Sequence, residues 1–479
     1  MPSIEINDAV HKTIRLSEHE HRVLNHPYVQ RLRFIRQLGF VSFVYPSATH
    51  ERFSHALGTM HVAGKFADQL FYNGEQSVLA NILAEKEKGF LTKILRLSGL
   101  LHDIGHAPFS HTAEKVMPSF KDLRELPFAW FKTSDEKRLA THEDYTVLLL
   151  AGMTEGEEAV LNQEEAQIIS SLVHHKKIKI PPAWHKRFSP KINTHELHTM
   201  VRSIVSGDID ADRMDYLLRD SHFTGVVYGH FDFNWLIANL GVVESGEDYI
   251  MSISEPGVHA LEHYLFARYH MYVQVYMHKT VKIFEYYFHR ALDEGETFYQ
   301  IPANRSQYVA LRDSSLLENL FDAARKNPSS WSSLLVNRRP AKRIARMWEA
   351  TQAEEIHKTL NKDLHHIGVK SHLVCTKNKF LDLPSAKEKT KKGAQGAFLF
   401  DLAAMPLIVV KNQFGVISFG SIADHSFLLK HYHRDISVCD FYILPDDYQK
   451  HVKELGEIMK KFHSPSPSEI IIEKDGGKT

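Results

Sequence analysis

Residues 94–106 read ILRLSGLLHDIGH, an apolar run that ends in a histidine and an aspartate side by side. The spacing of leucine and isoleucine predicts a buried helix, and His102 and Asp103 come at the end of its apolar stripe. Because a helix turns only ~100° per residue, an imidazole and a carboxylate at adjacent positions can reach one cation. Polar groups that are buried without a partner cost several kcal/mol. The stretch therefore predicts a metal site where the helix ends.

The composition is typical of a globular protein with a sizeable core. The 479 residues are 43% hydrophobic and 24% charged, which leaves room for one large domain or a few ordinary ones. Basic and acidic residues number 58 each, so no overall charge favours nucleic acid or a membrane surface as the primary partner. Cys375 and Cys439 are too few for a disulfide framework, and we find neither a signal peptide nor an apolar run of membrane-spanning length. We expect a cytoplasmic protein.

Helical periodicity dominates the first part of the chain. Apolar residues recur at intervals of three and four over 49–71, 91–101, 196–219 and 258–292. We therefore predict a mainly α fold, with a helical catalytic core over residues 1–295.

The texture changes from about residue 300. Short β-branched or aromatic runs lie between turn residues, at Val374, 407–410, 416–419 and 441–444. These runs predict a smaller α+β C-terminal region over residues 296–463. We expect a solvated loop at 387–393 and a flexible tail at 464–479, because both segments are rich in charged, Ser-Pro or glycine residues.

The chemistry-bearing residues form an ordered set of clusters. The chain has 32 histidines, so His55 alone is best explained as a cap or core residue, and Asp212 alone as an N-cap or surface residue. Taken together, His55, His102–Asp103 and Asp212 have the H…HD…D order of the HD-domain metal phosphohydrolases, which this chain resembles. The resemblance implies four metal ligands. Such a mixed nitrogen and oxygen set suits a divalent metal ion but does not choose among Fe, Mn, Zn, Ni and Mg.

Further segments resemble the deoxynucleoside triphosphate triphosphohydrolases of the HD type, over roughly residues 1–290. The matching segments are Gln37–Gly39, Arg52–Gly58, His102–His111, Thr141–Glu143, Asp212–Tyr216 and Arg219–Asp220. The resemblance implies an HD-domain helical core and hydrolysis of a dNTP at its α-phosphorus to a deoxynucleoside and tripolyphosphate. We expect no SAM domain ahead of this region.

The resemblance also implies catalytic and phosphate-binding residues. His111 and Glu114 match a dyad whose members, three residues apart, share one helix face, so that the carboxylate orients the imidazole as general acid or base. His106 and His142 match histidines that contact the phosphates, and the intact motif favours this role over the alternative of surface histidines in a histidine-rich chain. The implied phosphate contacts are Arg52, Arg213 and Arg268, and Arg213 replaces a lysine of the mammalian enzyme.

Sugar, base and activator contacts follow from the same resemblance. Gln37 and Asp220 match contacts to the 3′-hydroxyl, Leu38 and Tyr216 match the wall that crowds C2′, and Tyr276 and Tyr272 match positions beside the base. Tyr272 replaces a histidine of the mammalian enzyme, and packing within the helix explains both tyrosines as readily. The implied activator site contains Asn7, Asn25, Gln30 and Arg33. Asn25 replaces the aspartate that reads guanine, so activation by a guanine nucleotide is doubtful.

Three classes of function remain open on the sequence. The first is a dNTP triphosphohydrolase, with a possible nucleotide activator and a homo-oligomer, a tetramer in preference to a dimer. The second is an HD-type phosphohydrolase of nucleoside monophosphates, cyclic nucleotides or alarmones, for which Gln37, Tyr216 and Asp220 would be coincidental. The third is a nucleic-acid-binding or defence protein, which the neutral charge balance disfavours.

Overall fold

The computed structural model describes residues 4–132, 138–174, 177–348, 352–378, 407–411, 417–421, 426, 436–461 and 470–472. The chain forms two compact units. The first comprises Met1–Met271, Gln300–Ser314 and Asp382–His433, and the second comprises Tyr272–Tyr299, Ser315–Leu381 and Arg434–Thr479. Neither unit begins or ends between residues 295 and 296, and the predicted division there stays a prediction. The predicted loop at 387–393 lies outside the described residues.

The protein is mainly α-helical, as predicted, with small sheets. In chain order the α-helices are α1 (Glu18–Leu24), α2 (Pro27–Gln30), α3 (Arg52–Tyr72), α4 (Val78–Ile82), α5 (Glu85–Leu101), α6 (His142–Gly152), α7 (Gln163–Val173), α8 (Pro182–His185), α9 (Thr194–Val205), α10 (Ala211–Thr224), α11 (Phe233–Ala238), α12 (Val258–Met271), α13 (Lys279–Asp293), α14 (Arg305–Tyr308), α15 (Asp313–Lys326), α16 (Trp331–Val336), α17 (Ala353–His365), α18 (Pro445–Lys450) and α19 (Val452–Lys461). Short 3₁₀ helices span Arg31–Phe34, Gly39–Phe43, Ser110–Val116, Phe120–Asp122, Phe128–Trp130 and Glu255–Gly257, and a π-helical turn spans Tyr272–Tyr276.

The core of the first unit is built around α3. This helix packs against α5 and α10, and Ala56, Met60, Ala63 and Phe66 on it are fully buried. Since a helix that is covered on several sides needs apolar residues around most of its circumference, this burial explains why α3 is apolar over most of its length. Its first turn and the ends of its two neighbours therefore meet inside the protein.

Two predicted helical stretches are interrupted. The stretch 196–219 is divided into α9 and α10, because Asp210 caps α10 by accepting from Arg213 N at 2.7 Å. The stretch 258–292 is divided into α12 and α13 by the π-helical turn and by His278, whose side chain caps α13. Periodicity continues across both breaks, so it does not reveal them.

The strands are β1 (Ile4–Asp8), β2 (Lys12–Leu16), β3 (Leu240–Ser245), β4 (Asp248–Ser254), β5 (Lys342–Met347), β6 (Ser371–Asn378), β7 (Leu407–Lys411), β8 (Ile417–Ser421), β9 (Ile436–Ile443) and β10 (Ile470–Ile472). In the first unit β1 and β2 form a hairpin, and a second sheet has the order β3-β4-β7-β8. Its β7 runs parallel to β4, with Ser252 opposite Leu407. Two strands predicted for the C-terminal region thus complete a sheet of the first unit.

The second unit contains a four-stranded sheet of order β10-β5-β9-β6. Strand β10 lies within the predicted flexible tail, so that prediction is wrong for Ile470–Ile472, where three β-branched residues pair with β5. The rest of the tail lies outside the described residues. Cys375 and Cys439 face each other across β6 and β9 and are joined in a single disulfide. Within the described residues, every helix is too short or too polar to span a bilayer.

Candidate active site

Three helices bring predicted metal ligands together. His55 lies in the first turn of α3, His102 caps the C-terminal end of α5, and Asp212 lies in the first turn of α10. One ligand atom from each of these side chains lies within 4.8 Å of the others. Distant parts of the sequence thus supply one cluster, because α3 packs against both α5 and α10.

The cluster has donor atoms and charges that suit a divalent cation. His55 Nε2 lies 2.9 Å and His102 Nε2 lies 3.4 Å from Asp212 Oδ1. Among the described residues, neither Nε2 atom has a hydrogen-bond partner of normal geometry. Burial lowers the pKa of His55, but the carboxylates of Asp212 and Asp215 outweigh burial and raise this pKa to about 10. Positive charge is therefore favoured between these groups, and a divalent ion would supply it.

Asp215 fixes the imidazole of His55 from its other side. Its Oδ2 lies 2.7 Å from His55 Nδ1, and the backbone oxygen of Gly99 lies 2.8 Å from His102 Nδ1. A histidine that is engaged at Nδ1 presents Nε2 to a metal. Sequence reasoning assigned no role to Asp215, although its position three residues after Asp212 on the same helix could have indicated one.

A buried network holds Asp215 in place. Arg219 donates to both of its carboxylate oxygens at 2.9 Å, and His11 Nε2 lies 2.7 Å from Oδ1. Arg219 also donates to Asp8 at 2.9 Å. Burial alone raises the pKa of Asp215, but Arg219, His11 and His55 outweigh it and hold this pKa well below its usual value. Asp215 is therefore an ionised carboxylate that supports His55.

A glycine permits this close approach of two helices. A β-carbon on Gly58 of α3 would lie 1.8 Å from Asp215 Oδ1 and 2.3 Å from Arg219 Nη2. Any other residue at this position would displace the buried pair. Gly58 ends the Arg52–Gly58 segment, and the structure explains its presence there: it lets α10 bring Asp215 against His55.

Asp103 lies beside the three-residue cluster. Its Oδ1 lies 3.3 Å from His102 Nε2, and its Oδ2 lies 3.7 Å from His55 Nε2 and accepts a hydrogen bond from Arg52. Burial raises the pKa of Asp103, but His102 and Arg52 outweigh it and hold this pKa well below its usual value. The cluster and a buried guanidinium therefore share one carboxylate. Its role as a fourth ligand stays a prediction.

The backbone that leads to His111 is strained. Phe109 and Ser110 have φ angles of 59° and 55°, in the left-handed region. Phe109 N donates to Asp313 Oδ1 at 3.0 Å, and Ser110 Oγ accepts from Arg52 Nε at 3.1 Å. These contacts hold a turn that costs of order 1–3 kcal/mol per residue and that is found preferentially at functional sites.

Glu114 contacts His142, a partner that the sequence did not predict for it. His142 Nδ1 lies 2.9 Å from Glu114 Oε1, and the His142 ring stacks on that of His106 with centroids 4.0 Å apart. Burial lowers the pKa of His142, but Glu114 outweighs it and raises this pKa, whereas burial and Arg52 hold the pKa of His106 well below its usual value. The environment thus favours the protonated form of His142 and the neutral form of His106. The side chain of His111 lies outside the described residues, so the predicted dyad stays a prediction.

Two predicted phosphate contacts converge on a single oxygen. Arg213 Nη1 lies 3.8 Å and Arg268 Nη1 lies 3.7 Å from Asp208 Oδ1. Arg268 is only 2% exposed, and Arg213 also pairs with Asp210 Oδ2 at 3.3 Å. The two guanidinium groups therefore lie together beside the carboxylates of Asp208 and Asp210, from which an anionic ligand could take over contacts.

Comparison with known proteins identifies this arrangement. Residues 52–220 match the family model for the HD domain, which includes His55, His102 and Asp212. The chain carries an HD domain. Residues 231–393 match the model for the HD-associated region. HD domains bind divalent metals, and the three gathered residues of this HD domain are compatible with that property.

Proteins similar in sequence to this chain occur in several organisms. It is 34% identical to an uncharacterized protein of Methanocaldococcus jannaschii over 60% of this chain and 49% of the relative. It is 27% identical to the deoxynucleoside triphosphate triphosphohydrolase SAMHD1 of Gallus gallus, over 75% of this chain and 55% of the relative. The chain spans about half the length of the curated relatives that it matches. A hypothetical protein from Aquifex aeolicus has the same fold, with a TM-score of 0.65 at 23% identity, covering 96% of this chain and all of that one.

The residues predicted to contact the sugar lie in two parts of the structure. Tyr216 and Asp220 follow Asp212 on α10 at intervals of four, so all three share one helix face. Asp220 is buried and its Oδ1 lies 2.8 Å from His50 Nε2. Gln37 and Leu38 lie between two 3₁₀ helices, and Gln37 N donates to the backbone oxygen of His50 at 3.0 Å. His50 thus links the residues predicted to hold the 3′-hydroxyl.

The predicted base contacts and activator residues lie elsewhere in the chain. Tyr272 and Tyr276 begin and end the π-helical turn of the second unit, with ring centroids 5.1 Å apart. Among the activator residues, Arg33 Nε donates to Gln30 Oε1 at 2.9 Å, whereas Asn25 caps α1 and contacts His21. Asn7 lies in β1 opposite Thr13. Activator binding and oligomer formation stay predictions.

Proposed function

We propose that this chain is a metal-dependent triphosphohydrolase of deoxynucleoside triphosphates, which converts a dNTP and water into a deoxynucleoside and tripolyphosphate. The observation that carries the proposal concerns Asp103. Its carboxylate contacts both His55 of the metal cluster and the buried guanidinium of Arg52. A divalent ion and an arginine both stabilise negative charge on phosphoryl oxygens. A site that joins the two is suited to a phosphate ester.

The phosphate chain is assigned to the arginines. A divalent cation held by His55, His102 and Asp212 would polarise a phosphoryl oxygen and lower the pKa of a water molecule. Arg52 would bind the phosphate nearest to Asp103, and Arg213 with Arg268 would neutralise the remaining charge. A triphosphate carries about four negative charges, which is more than one cation balances, so a second group of positive charges is required.

Histidines are assigned to the proton transfers. Glu114 favours the protonated form of His142, which would donate to a phosphate oxygen. His111 is proposed as the general acid or base, with Glu114 as the carboxylate that orients it. Neutral His106, stacked on His142, would contact the phosphates without adding charge.

The choice of a deoxynucleotide rests on the resemblance and on the names of relatives. The SAMHD1 enzymes of Gallus gallus and Homo sapiens, 27% and 26% identical to this chain, are named as deoxynucleoside triphosphate triphosphohydrolases. Leu38 and Tyr216 are proposed to crowd C2′, so that a 2′-hydroxyl finds no partner. Gln37 and Asp220 are proposed to hold the 3′-hydroxyl, and their common neighbour His50 would keep them in register.

The test is an assay of the full-length, metal-loaded protein with each dNTP and NTP, singly and in pairs. We expect tripolyphosphate and deoxynucleoside as the products, and in oxygen-18 water we expect label in the terminal phosphorus of tripolyphosphate. Pairs of nucleotides reveal whether an activator is needed. Labelled orthophosphate as the first product, or hydrolysis of nucleoside monophosphates, cyclic nucleotides or alarmones in place of dNTPs, would overturn the proposal.

A further inference from the structure

A cavity of about 630 Å³ opens on the first unit beside the turn of the β1–β2 hairpin. Its wall is basic: the described residues that line it include two lysines and four histidines but neither aspartate nor glutamate. None of the predicted metal, phosphate, sugar or activator residues lines it. The volume falls within the roughly 300–1,000 Å³ that is usual for small-molecule sites.

Positive charge on this wall comes from Lys12 and Lys65, whereas His11 lies 2.7 Å from the carboxylate of Asp215. Among the described residues, neither Lys12 nor Lys65 forms an ion pair with a carboxylate, and both residues are exposed. Burial lowers the pKa of His61, and the nearby His11, Lys65 and Arg96 lower it further, to about 4. A pKa this low keeps His61 neutral near pH 7, so Lys12 and Lys65 supply the charge that would attract an anion.

The backbone conformation of the hairpin turn is a further indication of an anion site. Lys12 has a φ angle of 62°, a left-handed conformation that glycine adopts without strain and lysine rarely does. Its Nζ donates to the backbone oxygen of Ala9 at 3.3 Å, within the same turn. The turn therefore carries a cation at a position where its backbone geometry favours glycine.

The remainder of the wall is apolar, and a second cavity adjoins the first. Leu218 and Phe233 supply apolar surface, which suits an organic ligand with charged groups at one end. The second cavity, of about 340 Å³, shares Thr13, His61 and Lys65 with the first. It adds Arg15, Arg96 and one carboxylate, Asp68, so the charged groups of the ligand are assigned to the first cavity. The ligand indicated is small, anionic and partly apolar.

We propose that this basic cavity binds a small phosphate-bearing molecule at a site separate from the metal cluster. His11 lies on its wall and is also the hydrogen-bond partner of Asp215, which supports His55. The bound molecule therefore lies two hydrogen bonds away from a residue of the metal cluster. The proposal is independent of the reaction assigned to that cluster.

The test is calorimetric titration of the full-length protein with inorganic pyrophosphate. The Lys12→Gln/Lys65→Gln variant removes both exposed cations, and Lys86→Gln/Lys121→Gln removes two exposed lysines outside the cavity. Arg213→Gln weakens the predicted phosphate contacts at the metal cluster. We expect the affinity to fall at least about tenfold in the first variant, because charged hydrogen bonds are lost, and to stay near that of the parent in the second.

The Arg213→Gln protein distinguishes the two anion sites. Pyrophosphate binding that persists in this protein and is lost when Lys12 and Lys65 are also replaced supports the cavity as the site. Binding that disappears with Arg213→Gln alone, or that both lysine pairs weaken equally, overturns the proposal. Absence of pyrophosphate binding by the parent protein overturns it as well.

Discussion

The metal cluster and the predicted nucleoside contacts are built on different kinds of backbone. His55, His102 and Asp212 lie in or at the ends of the long helices α3, α5 and α10. Gln37 and Leu38 lie between 3₁₀ helices, and Tyr272 and Tyr276 delimit a π-helical turn. Regular helices that are packed together hold ligand atoms to within a fraction of an ångström. The backbone conformation of irregular segments, in contrast, changes after only a few substitutions. The difference suggests that the metal cluster is held rigidly and that the predicted nucleoside contacts are more easily altered.

The largest effect should follow from removal of two cluster residues. His102→Ala/Asp103→Ala is expected to lose its metal and its hydrolytic activity while it stays folded, because an incomplete site rarely retains a metal ion. Metal content by mass spectrometry of the purified protein and circular dichroism check both statements. The exposed His195→Ala serves as the control, and a double variant with the metal content of the parent would show that the cluster is not the metal site.

Loss of the proposed general acid or base should have a smaller effect. His111→Ala is expected to slow hydrolysis by ~10²- to 10⁴-fold with unchanged metal content, the usual contribution of a positioned acid or base. Single-turnover kinetics measure the step, and Lys115→Ala on the same 3₁₀ helix is the neighbouring control. A rate within a few-fold of the parent would remove His111 from the mechanism.

Discrimination between deoxyribose and ribose tests the predicted nucleoside contacts. A buried hydroxyl without a partner costs ~1–3 kcal/mol, so kcat/KM for a dNTP should exceed that for the matching NTP by ~5- to 150-fold, and steric exclusion widens the ratio. Leu38→Gly and Tyr216→Ala should narrow it without changing the metal content, and the exposed Tyr72→Ala should not. Equal turnover of dNTP and NTP by the parent would contradict the deoxynucleotide assignment.

Asp215→Asn tests whether the Asp215 carboxylate supports metal binding by His55. Replacement of a carboxylate that orients a ligating histidine typically weakens metal binding 10- to 100-fold, and we expect a loss of about that size. Asp220→Asn is matched to it, since Asp220 lies on the same helix and is buried to the same degree. It should leave the metal affinity unchanged and raise KM. Equal metal affinities of the two variants would remove the special role of Asp215.

The smallest effect concerns helix packing. Gly58→Ala forces a β-carbon into Asp215 and Arg219, and overpacking of this kind costs typically ~1–3 kcal/mol in the free energy of unfolding. Gly89 on α5 has no heavy atom within 4 Å of its would-be β-carbon, so Gly89→Ala should stabilise by roughly 0.5–1 kcal/mol. Urea denaturation measures both, and a Gly58→Ala protein as stable as the parent would show that α3 and α10 can separate at no cost.

Sequence reasoning located the cluster but not its support. His55, His102 and Asp212 were predicted because their order along the chain is a specific pattern. Asp215 and Gly58 matter through the contact between α3 and α10, and the sequence shows only part of this: the spacing of Asp215 from Asp212 was an available signal, whereas the need for glycine at position 58 depends on a contact between residues distant in sequence. The Asp210 cap that separates α9 from α10 was hidden for another reason: it belongs to a run of aspartates, each of which could have been the cap.

The strands show the same limit. The runs at 407–410 and 441–444 were recognised as strands from their β-branched and aromatic residues. Their partners could not be predicted, because pairing depends on which edges are available after the chain has folded. Thus β7 pairs with β4 of the first unit, whereas β9 lies between β5 and β6 of the second.

The parallel pairing of β7 with β4 also bears on how the chain is made and shortened. During synthesis β3 and β4 leave the ribosome long before β7. The backbone hydrogen-bonding groups of β4 at Ser252–Ser254 therefore have no strand partner while residues of the second unit are still being translated. A protein shortened to residues 1–295 would contain the residues of the metal cluster but would lack β7, the strand that pairs with this edge. Open strand edges pair with other chains, so such a fragment is expected to aggregate, and functional work calls for the whole chain.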